Sequence, residues 1–221
     1  MRKVVGLLCL LYVPSLGACA AKPSDAFPDP DLPARAESPE GAPYPTGHVG
    51  THARRGSTPG NTIPNFAFQG YVGSDRAAGL KPVSLADYFD PAAAHHKVLH
   101  IAVAAAWCAT CATEADTLVA LAPALGDEGA VFLLAMVEGR EPGKGPTLGD
   151  FDAWIDKRHT TFNAVLDSNA RRFGTLQATG VPWNALVDTR TMEILDTSLG
   201  APDDVAKYVR LGIAFVNAHP R

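Results

Sequence analysis

Two cysteines separated by two residues are the part of this chain best suited to covalent chemistry. Cys108 and Cys111 follow an almost wholly apolar stretch, residues 98–106, which predicts a buried strand. The residues after them carry apolar side chains at helical spacing to about residue 125. Cys108 is therefore expected at a helix N-terminus, where unpaired N–H groups and the helix dipole favour a thiolate. The i, i+3 spacing brings the second sulfur to the same side, so the pattern predicts a redox pair that can close into a disulfide.

Zinc binding and simple burial are the alternatives for this pair. A zinc site needs further ligands, and the sequence has no second CxxC motif. The other two cysteines, Cys9 and Cys19, lie far away near the N-terminus. We therefore predict redox chemistry and no metal site.

The N-terminus has the pattern of a signal peptide, predicted over residues 1–18. A basic start precedes an apolar run of ten residues, which is too short to span a bilayer because a spanning helix needs about 20. Residues 16–19 resemble the bacterial lipobox, which implies cleavage before Cys19 and attachment of lipid to it. Ordinary secretion with cleavage near Ala18 or Ala20 is the alternative. The expected location is the bacterial cell envelope, with a lipid anchor in the inner or outer membrane and the protein facing the periplasm.

Residues 19–61 are predicted to be a disordered, lipid-anchored linker, and residues 62–221 a folded domain. The linker is rich in proline and glycine and has few large apolar side chains, so it cannot offset the entropy cost of ordering. His48 and His52 lie in this linker and are expected to be solvated. The chain has a net charge of −4 and no basic stripe with interleaved aromatics, so we expect no nucleic-acid partner.

Alternating apolar strands and amphipathic helices predict an α/β domain with a central mixed sheet flanked by helices. The predicted strands are residues 64–68, 82–85, 98–105, 130–137, 164–166, 184–187 and 192–195. The predicted helices start near residues 109, 150, 168 and 203, and the third of them runs to about residue 177.

Three motifs together resemble the thioredoxin superfamily. They are Trp107 with the CxxC that follows it, Glu114 three residues after the second cysteine, and Thr-Gly-Val-Pro at residues 179–182. The closest branch looks like the membrane-anchored extracytoplasmic thiol–disulfide oxidoreductases, TlpA/ResA-like and related to AhpC/TSA domains. The resemblance covers about residues 61–218, and it implies a thioredoxin-like fold with an N-terminal β extension.

The resemblance also implies roles for the reacting groups. Cys108 corresponds to the exposed nucleophile and Cys111 to the buried resolving thiol of a redox disulfide. Glu114 is the candidate proton acceptor for the second thiol, with a solvated glutamate that merely stabilises the helix as the alternative. Pro182 corresponds to the cis-proline that faces the sulfurs, with an ordinary trans peptide as the alternative.

Four residues are expected at the substrate-binding surface: Trp107, Val181, Pro182 and Trp183. In the family, the residue at Val181 offers its backbone to an extended peptide, and Trp183 stands where a smaller residue is common. The indole of Trp183 is expected to narrow the substrate-binding groove or to stack on the bound partner protein. The chain also departs from thioredoxins in having Ala102 where they carry a buried aspartate, which places more weight on Glu114.

The leading hypothesis is a thiol–disulfide oxidoreductase that acts on protein disulfides or thiols and leans towards reduction. Such an enzyme needs an upstream redox partner. No cofactor is expected, because no nucleotide-binding glycine motif is present. A peroxide reductase is one rival, although Ala105, Ala106 and Trp107 replace the Thr-x-x-Cys setting and no supporting arginine is evident. A Cu(I)-binding chaperone or redox sensor is the other, with His100 or His159 as a third ligand. Packing within its strand is the simpler expectation for His100.

Overall fold

A computed structural model describes residues 26–46, 58–176 and 179–220 and shows a single mixed sheet covered by helices. The strands are β1 Ala67–Tyr71, β2 Lys81–Ser84, β3 Val98–Ala105, β4 Ala130–Glu138, β5 Asn163–Leu166, β6 Trp183–Asp188 and β7 Glu193–Leu199. The helices are α1 Ala109–Asp127, α2 Leu148–Arg158 and α3 Val205–Ala218. Short 3-10 turns occupy Val72–Ser74, Leu85–Tyr88, Ser168–Ala170 and Phe173–Leu176. Within the described residues, no helix is long and apolar enough to cross a membrane.

The sheet order is β2-β1-β5-β4-β3-β6-β7. Strands β3, β4 and β5 run parallel, and the remaining neighbours pair antiparallel. All eight residues of β3 are buried, because layers on both faces cover this central strand. Burial on both faces explains why the sequence before the cysteines is continuously apolar. The predicted fold class is confirmed.

The two faces of the sheet carry separate cores. Leu118, Phe151 and Ile213 bring α1, α2 and α3 together on one face. Phe68 and Phe173 pack on the other face, beneath the 3-10 turns and the N-terminal segment. Side chains alternate along β3 as far as residue 104, so its even-numbered residues meet the helices and its odd-numbered residues meet the opposite core. Ala105 follows a register shift and also lies on the helix side.

Helix α1 lies between the other two helices. The crossovers from β3 to β4 and from β4 to β5 step in the same direction across the sheet, which places α1 and α2 side by side on one face. Helix α3 packs on β3, β6 and the other flank of α1. The end of the sheet at which α1 begins is therefore bordered by α2 on one side and by the entry to α3 on the other.

The helix predicted from residue 168 to about residue 177 is wrong. The chain instead forms two 3-10 turns, since Asn169 and Ala170 have φ of 57° and 51°, a left-handed conformation that an α-helix cannot contain. The carboxylate of Asp167 accepts the backbone N–H groups of Arg172 and Phe173, each at 2.9 Å. These contacts replace the helical hydrogen bonds of this segment.

The predicted disorder of residues 19–61 is wrong for the segment 26–46, which packs along the domain. Its Phe27 N–H donates to the carbonyl of Pro146 at 2.8 Å. The buried Tyr44 hydroxyl donates to the carbonyl of Ile63 at 2.9 Å. The segment is held by a few long-range contacts rather than by a hydrophobic run of its own. Cys9, Cys19, His48 and His52 lie outside the described residues.

A buried ion pair anchors this N-terminal segment. Both carboxylate oxygens of Asp29 accept Nη1 of Arg172 at 2.7 Å, and the two side chains are 8% and 10% exposed. The Arg172 guanidinium also lies 5.2 Å from the centre of the Phe68 ring. Removing one partner of a buried pair strands the other charge, which costs about 3–5 kcal/mol in proteins.

We predict that Asp29→Ala destabilises the folded domain by about 3 kcal/mol, since it removes the nearer carboxylate of the buried Arg172 guanidinium and leaves only the longer contact with Asp167, at 3.4 Å. Chemical denaturation of the full chain measures the free energy of unfolding. Asp31→Ala is the matched control, because Asp31 is 87% exposed and pairs with Arg171 at the surface. Equal stability of the two variants would contradict an anchored segment.

Candidate active site

The two cysteines occupy the first turn of α1. Cys108 is the N-cap residue, and its sulfur accepts the backbone N–H of Cys111 at 3.0 Å. The two sulfurs are joined in a disulfide. Cys108 Sγ therefore lies among the free N–H groups of the helix N-terminus, which is the environment that lowers the pKa of a thiol.

The two sulfurs differ in their access to the surface. Cys108 is 5% exposed and Cys111 is 1% exposed. Of the two, only Cys108 lines the groove that opens beside the active-site turn. The nucleophile was expected to be exposed, whereas in this disulfide form it is nearly buried and lines that groove.

Trp107 borders the same groove and is fixed to the neighbouring strand. Its indole Nε1 donates to Oε2 of Glu138 at 2.6 Å, and the same oxygen accepts the N–H of Gly143 at 3.0 Å. The tryptophan is nevertheless 43% exposed. An anchored and exposed indole next to Cys108 fits the predicted substrate contact.

The groove beside Cys108 has a volume of about 480 Å³ and separates the active-site turn from α2. Its lining residues are Ala106, Trp107, Cys108, Ala109, Ala112, Arg140, Asp150, Ala153, Trp154, Lys157 and Arg158. Local sequence patterns do not point to the two arginines, because a loop and a crossover helix bring them to this groove. No arginine suited to support a peroxide-reducing cysteine was evident from the sequence, whereas Arg140 and Arg158 both line the groove beside Cys108.

The prolyl loop lies at the same end of the sheet. The Val181–Pro182 peptide bond is cis, as the resemblance predicted. Strand β6 starts immediately afterwards, with Trp183 opposite Val103 near the end of β3. This register brings the loop to the edge at which α1 begins. Pro182 is buried, whereas Val181 is partly exposed.

Trp183 does not lie at the binding surface. It is 3% exposed and packs against Phe173, with ring centres 6.1 Å apart, on the face of the sheet opposite α1. The alternation of side chains along β6 turns this indole inward. The prediction that Trp183 contacts the substrate is therefore wrong.

Glu114 is buried on the inner face of α1, only 4% exposed, so the alternative of a solvated glutamate is wrong. Its Oε1 has no hydrogen-bond partner among the described residues. Burial raises the pKa of this carboxyl to about 7, although the side chain of Asn184 lowers it in part. Glu114 also lines a second groove, of about 380 Å³, between α1 and residues 201–206. The carboxyl therefore lies between the core and a route to solvent.

A cluster of buried polar groups surrounds Glu114. Asn184 is fully buried and stands directly opposite Ala102, the position at which thioredoxins carry an aspartate. His100 is also fully buried, and burial lowers its pKa to about 4, opposed by the Asn184 side chain, so the ring is neutral at pH 7. The Tyr208 ring lies 6.0 Å from His100 between ring centres, and the charge of Glu114 contributes to the raised pKa of Tyr208 after burial and Asp196.

Of the residues in this polar cluster, His100 was singled out from the sequence, whereas Asn184 and Tyr208 were not. An asparagine inside an apolar strand is itself a signal, since a buried amide needs polar neighbours. His100 packs within its strand, as expected, and His159 is exposed at the end of α2. Among residues 26–46, 58–176 and 179–220, no three His, Cys, Asp or Glu side chains are grouped so as to hold a metal ion. The copper alternative therefore gains no support from geometry.

A family model described as the AhpC/TSA family matches residues 59–198. The chain belongs to the AhpC/TSA family. A search of curated proteins with the sequence finds no match. Membership confirms the predicted relationship, which rested on the cysteine pair, Glu114 and the prolyl loop.

Solved structures share the fold of this AhpC/TSA member at low identity. A DsbE thiol:disulfide interchange protein from Chlorobium tepidum is 17% identical with a TM-score of 0.56, and the match covers 72% of this chain and 96% of that one. The thioredoxin domain of a Bacteroides vulgatus thiol-disulfide oxidoreductase is 20% identical with a TM-score of 0.54, covering 70% and 97%. A Neisseria meningitidis thioredoxin is 20% identical with a TM-score of 0.53, covering 70% and 90%. Family and fold together identify a thioredoxin-like oxidoreductase.

We predict that Glu114→Gln removes a pH-dependent loss of stability from the oxidised protein. The unfolded carboxyl ionises near pH 4.5, whereas the folded one stays protonated to about pH 7. Ionisation of the unfolded state therefore lowers wild-type stability as the pH rises through this window, by about 3 kcal/mol in all. Denaturant unfolding at pH 4 and pH 8 compares the variant with wild type and with Glu141→Gln, an exposed control. An identical pH dependence in all three proteins would contradict the raised pKa of Glu114.

Proposed function

We propose that this protein exchanges thiols with protein disulfides through Cys108 and Cys111. One observation carries the proposal: a single helix turn presents one sulfur to a groove and holds the other in the core, on the same helix face as a buried carboxyl. Cys111 and Glu114 are three residues apart on α1 and both are buried, which places them as neighbours on that face. This arrangement suits an attacking thiol and a resolving thiol with its own proton acceptor.

The first step is attack by the Cys108 thiolate on a substrate disulfide. A bond forms between Cys108 Sγ and one substrate sulfur, the substrate S–S bond breaks, and the other substrate sulfur leaves as a thiolate. The partner peptide lies in the groove beside Trp107, with the backbone of Val181 available to it. The free N–H groups at the start of α1 stabilise the attacking thiolate.

The second step releases the substrate. Glu114 takes the proton of the Cys111 thiol, and the thiolate attacks Cys108 Sγ. The Cys108–Cys111 disulfide forms and the second substrate thiolate leaves. A carboxyl with a pKa of about 7 is half ionised at neutral pH, so it can both accept this proton and release it. The groove between α1 and residues 201–206 gives the proton a route to solvent.

We propose that the protein acts as a reductant. In each cycle two electrons pass from the cysteine pair to the substrate disulfide, and a dithiol partner must reduce Cys108–Cys111 again. Among the described residues, Cys108 Sγ accepts a hydrogen bond from the backbone N–H of Cys111 and from no side chain. Ala109 and Thr110, between the cysteines, provide no cationic donor to stabilise the thiolate further. A less stabilised thiolate favours the disulfide form and makes the pair a better electron donor.

Peroxide reduction is the second candidate, favoured by the family and by two arginines in the groove. Arg140 is engaged with Asp150 and Arg158 with Asp116. A peroxide-consumption assay on the reduced protein separates the two activities. Rapid turnover of hydrogen peroxide without reduction of insulin would replace our proposal with this one.

We propose that the protein works outside the cytoplasm, tethered by lipid at Cys19. The support is the sequence pattern of residues 1–19, together with a cysteine pair that suits an oxidising compartment. Labelling with radioactive palmitate in a bacterial host should disappear in Cys19→Ser. Label that persists in that variant would exclude this anchor.

We predict that Cys108→Ser abolishes insulin reduction, because the attacking sulfur is lost, whereas Cys111→Ser still attacks but cannot resolve. Cys111→Ser should therefore accumulate a mixed disulfide with the substrate, visible by mass spectrometry of the full chain. Trapping by Cys108→Ser instead would reverse the assigned roles, and full activity of Cys108→Ser would contradict the function.

We predict that Glu114→Gln slows resolution of the mixed disulfide by about 100-fold, the lower range for loss of a general base. Stopped-flow measurement of wild type should show the resolution rate rising through about pH 7 as Glu114 ionises. This rise should be absent in Glu114→Gln and retained in Glu141→Gln. A retained rise in Glu114→Gln would assign the proton acceptor to another group.

A further inference from the structure

The groove beside Cys108 differs in charge from the rest of the protein. The chain as a whole carries a net charge of −4. The groove, however, is lined by the cations Arg140, Lys157 and Arg158 and by a single carboxylate, Asp150. Cationic side chains next to the nucleophile attract carboxylates more than any other protein group.

The donors of these cations are only partly used. Arg140 is 73% exposed and contacts Asp150 through Nε, which leaves both terminal amino groups available. Arg158 contacts Asp116 through Nη1 at 2.5 Å. Lys157 is exposed and forms no ion pair within the described part of the chain. The Arg158 side chain is only 14% exposed and stays paired with Asp116. Pairs of an exposed side chain such as Arg140 are worth about 0–1 kcal/mol, so a partner's carboxylate can compete for Arg140.

The remaining lining fits a peptide rather than a bare anion. Trp107 and Trp154 provide aromatic surface, and the Arg158 guanidinium lies 5.8 Å from the centre of the Trp154 ring. The rest of the lining is small, with four alanines between the aromatic and cationic side chains. Small residues permit close approach of a backbone. Trp107 is exposed, as tryptophans at protein contact surfaces often are, whereas Trp154 is buried beneath the groove.

We infer that this groove selects protein substrates with acidic residues next to the reactive cysteine. The occupant is an extended segment of the partner, with its disulfide at Cys108 and its carboxylates against Arg140 and Lys157. This inference rests on the proposed thiol–disulfide exchange and names its substrate class. Charge attraction of this kind acts mainly on the rate of association, and salt weakens it.

Three peptides test the inference. Each contains one intramolecular disulfide, and they differ only in flanking glutamate, glutamine or lysine. The full-length protein is reduced first, and its rate of reducing each peptide is measured at low and at high salt, with the uncharged bis(2-hydroxyethyl) disulfide as a small reference substrate. Lys157→Glu is compared with Lys207→Glu, which makes the same charge change on α3, on the other flank of α1.

At low salt, wild type should reduce the glutamate peptide at least about fivefold faster than the glutamine peptide and the lysine peptide most slowly, with high salt removing most of the difference. Lys157→Glu should lose this preference, whereas Lys207→Glu should keep it and reduce the uncharged reference disulfide at the wild-type rate. Equal rates for the three peptides, or an equal loss of preference in both variants, would overturn the inference. Failure of wild type to reduce the reference disulfide and every peptide would instead overturn the proposed function.

Discussion

The proposed thiol chemistry depends on Cys108 capping the N-terminus of α1 while the inner face of this helix is buried against the sheet. The same face carries Cys111, Glu114 and the apolar Leu118 and Leu125, all buried. Burying one leucine contributes about 2 kcal/mol, so turning the helix enough to expose either leucine is costly. Apolar packing thus fixes the positions of the second sulfur and the carboxyl. It also leaves the first sulfur at the helix N-terminus, facing the groove.

The buried acid of this site comes from the helix rather than from the central strand. On β3 the small Ala102 occupies the position of the acid, and Asn184 of β6 pairs opposite it. Glu114 is buried on the face of α1 that packs on the sheet. An amide can donate to a carboxylate or accept from a carboxylic acid. Neutral His100 and the Tyr208 hydroxyl add further polar atoms without a net charge. Such surroundings let one carboxyl occupy both protonation states near neutral pH, as a proton acceptor that must also release its proton requires.

Local patterns in the sequence were enough to predict the redox pair, the two crossovers and the covered sheet, because each depends on spacing within one segment. The helix after residue 167 was not predictable in this way, since the long-range role of Asp167 and the left-handed Asn169 decide its conformation. The position of Trp183 was predicted wrongly because the register of β6 decides which face of the sheet its side chain lies on. A register shift of one residue moves every side chain of a strand to the other face. The order of residues 26–46 rests on Arg172, more than a hundred residues away, so composition alone could not reveal it.

The proposed thiol exchange requires that the sulfur of Cys108 is ionised and accessible and that the sulfur of Cys111 is protected from solvent. Alkylation of the reduced protein with iodoacetamide between pH 5 and pH 9, with each modified cysteine identified by mass spectrometry, tests this most directly. Cys108 should react first, with a pKa below the value of about 8.5 for a free thiol, and Cys111 should react far more slowly across the range. Equal reaction of both thiols, or a Cys108 profile that titrates like a free thiol, would contradict the account.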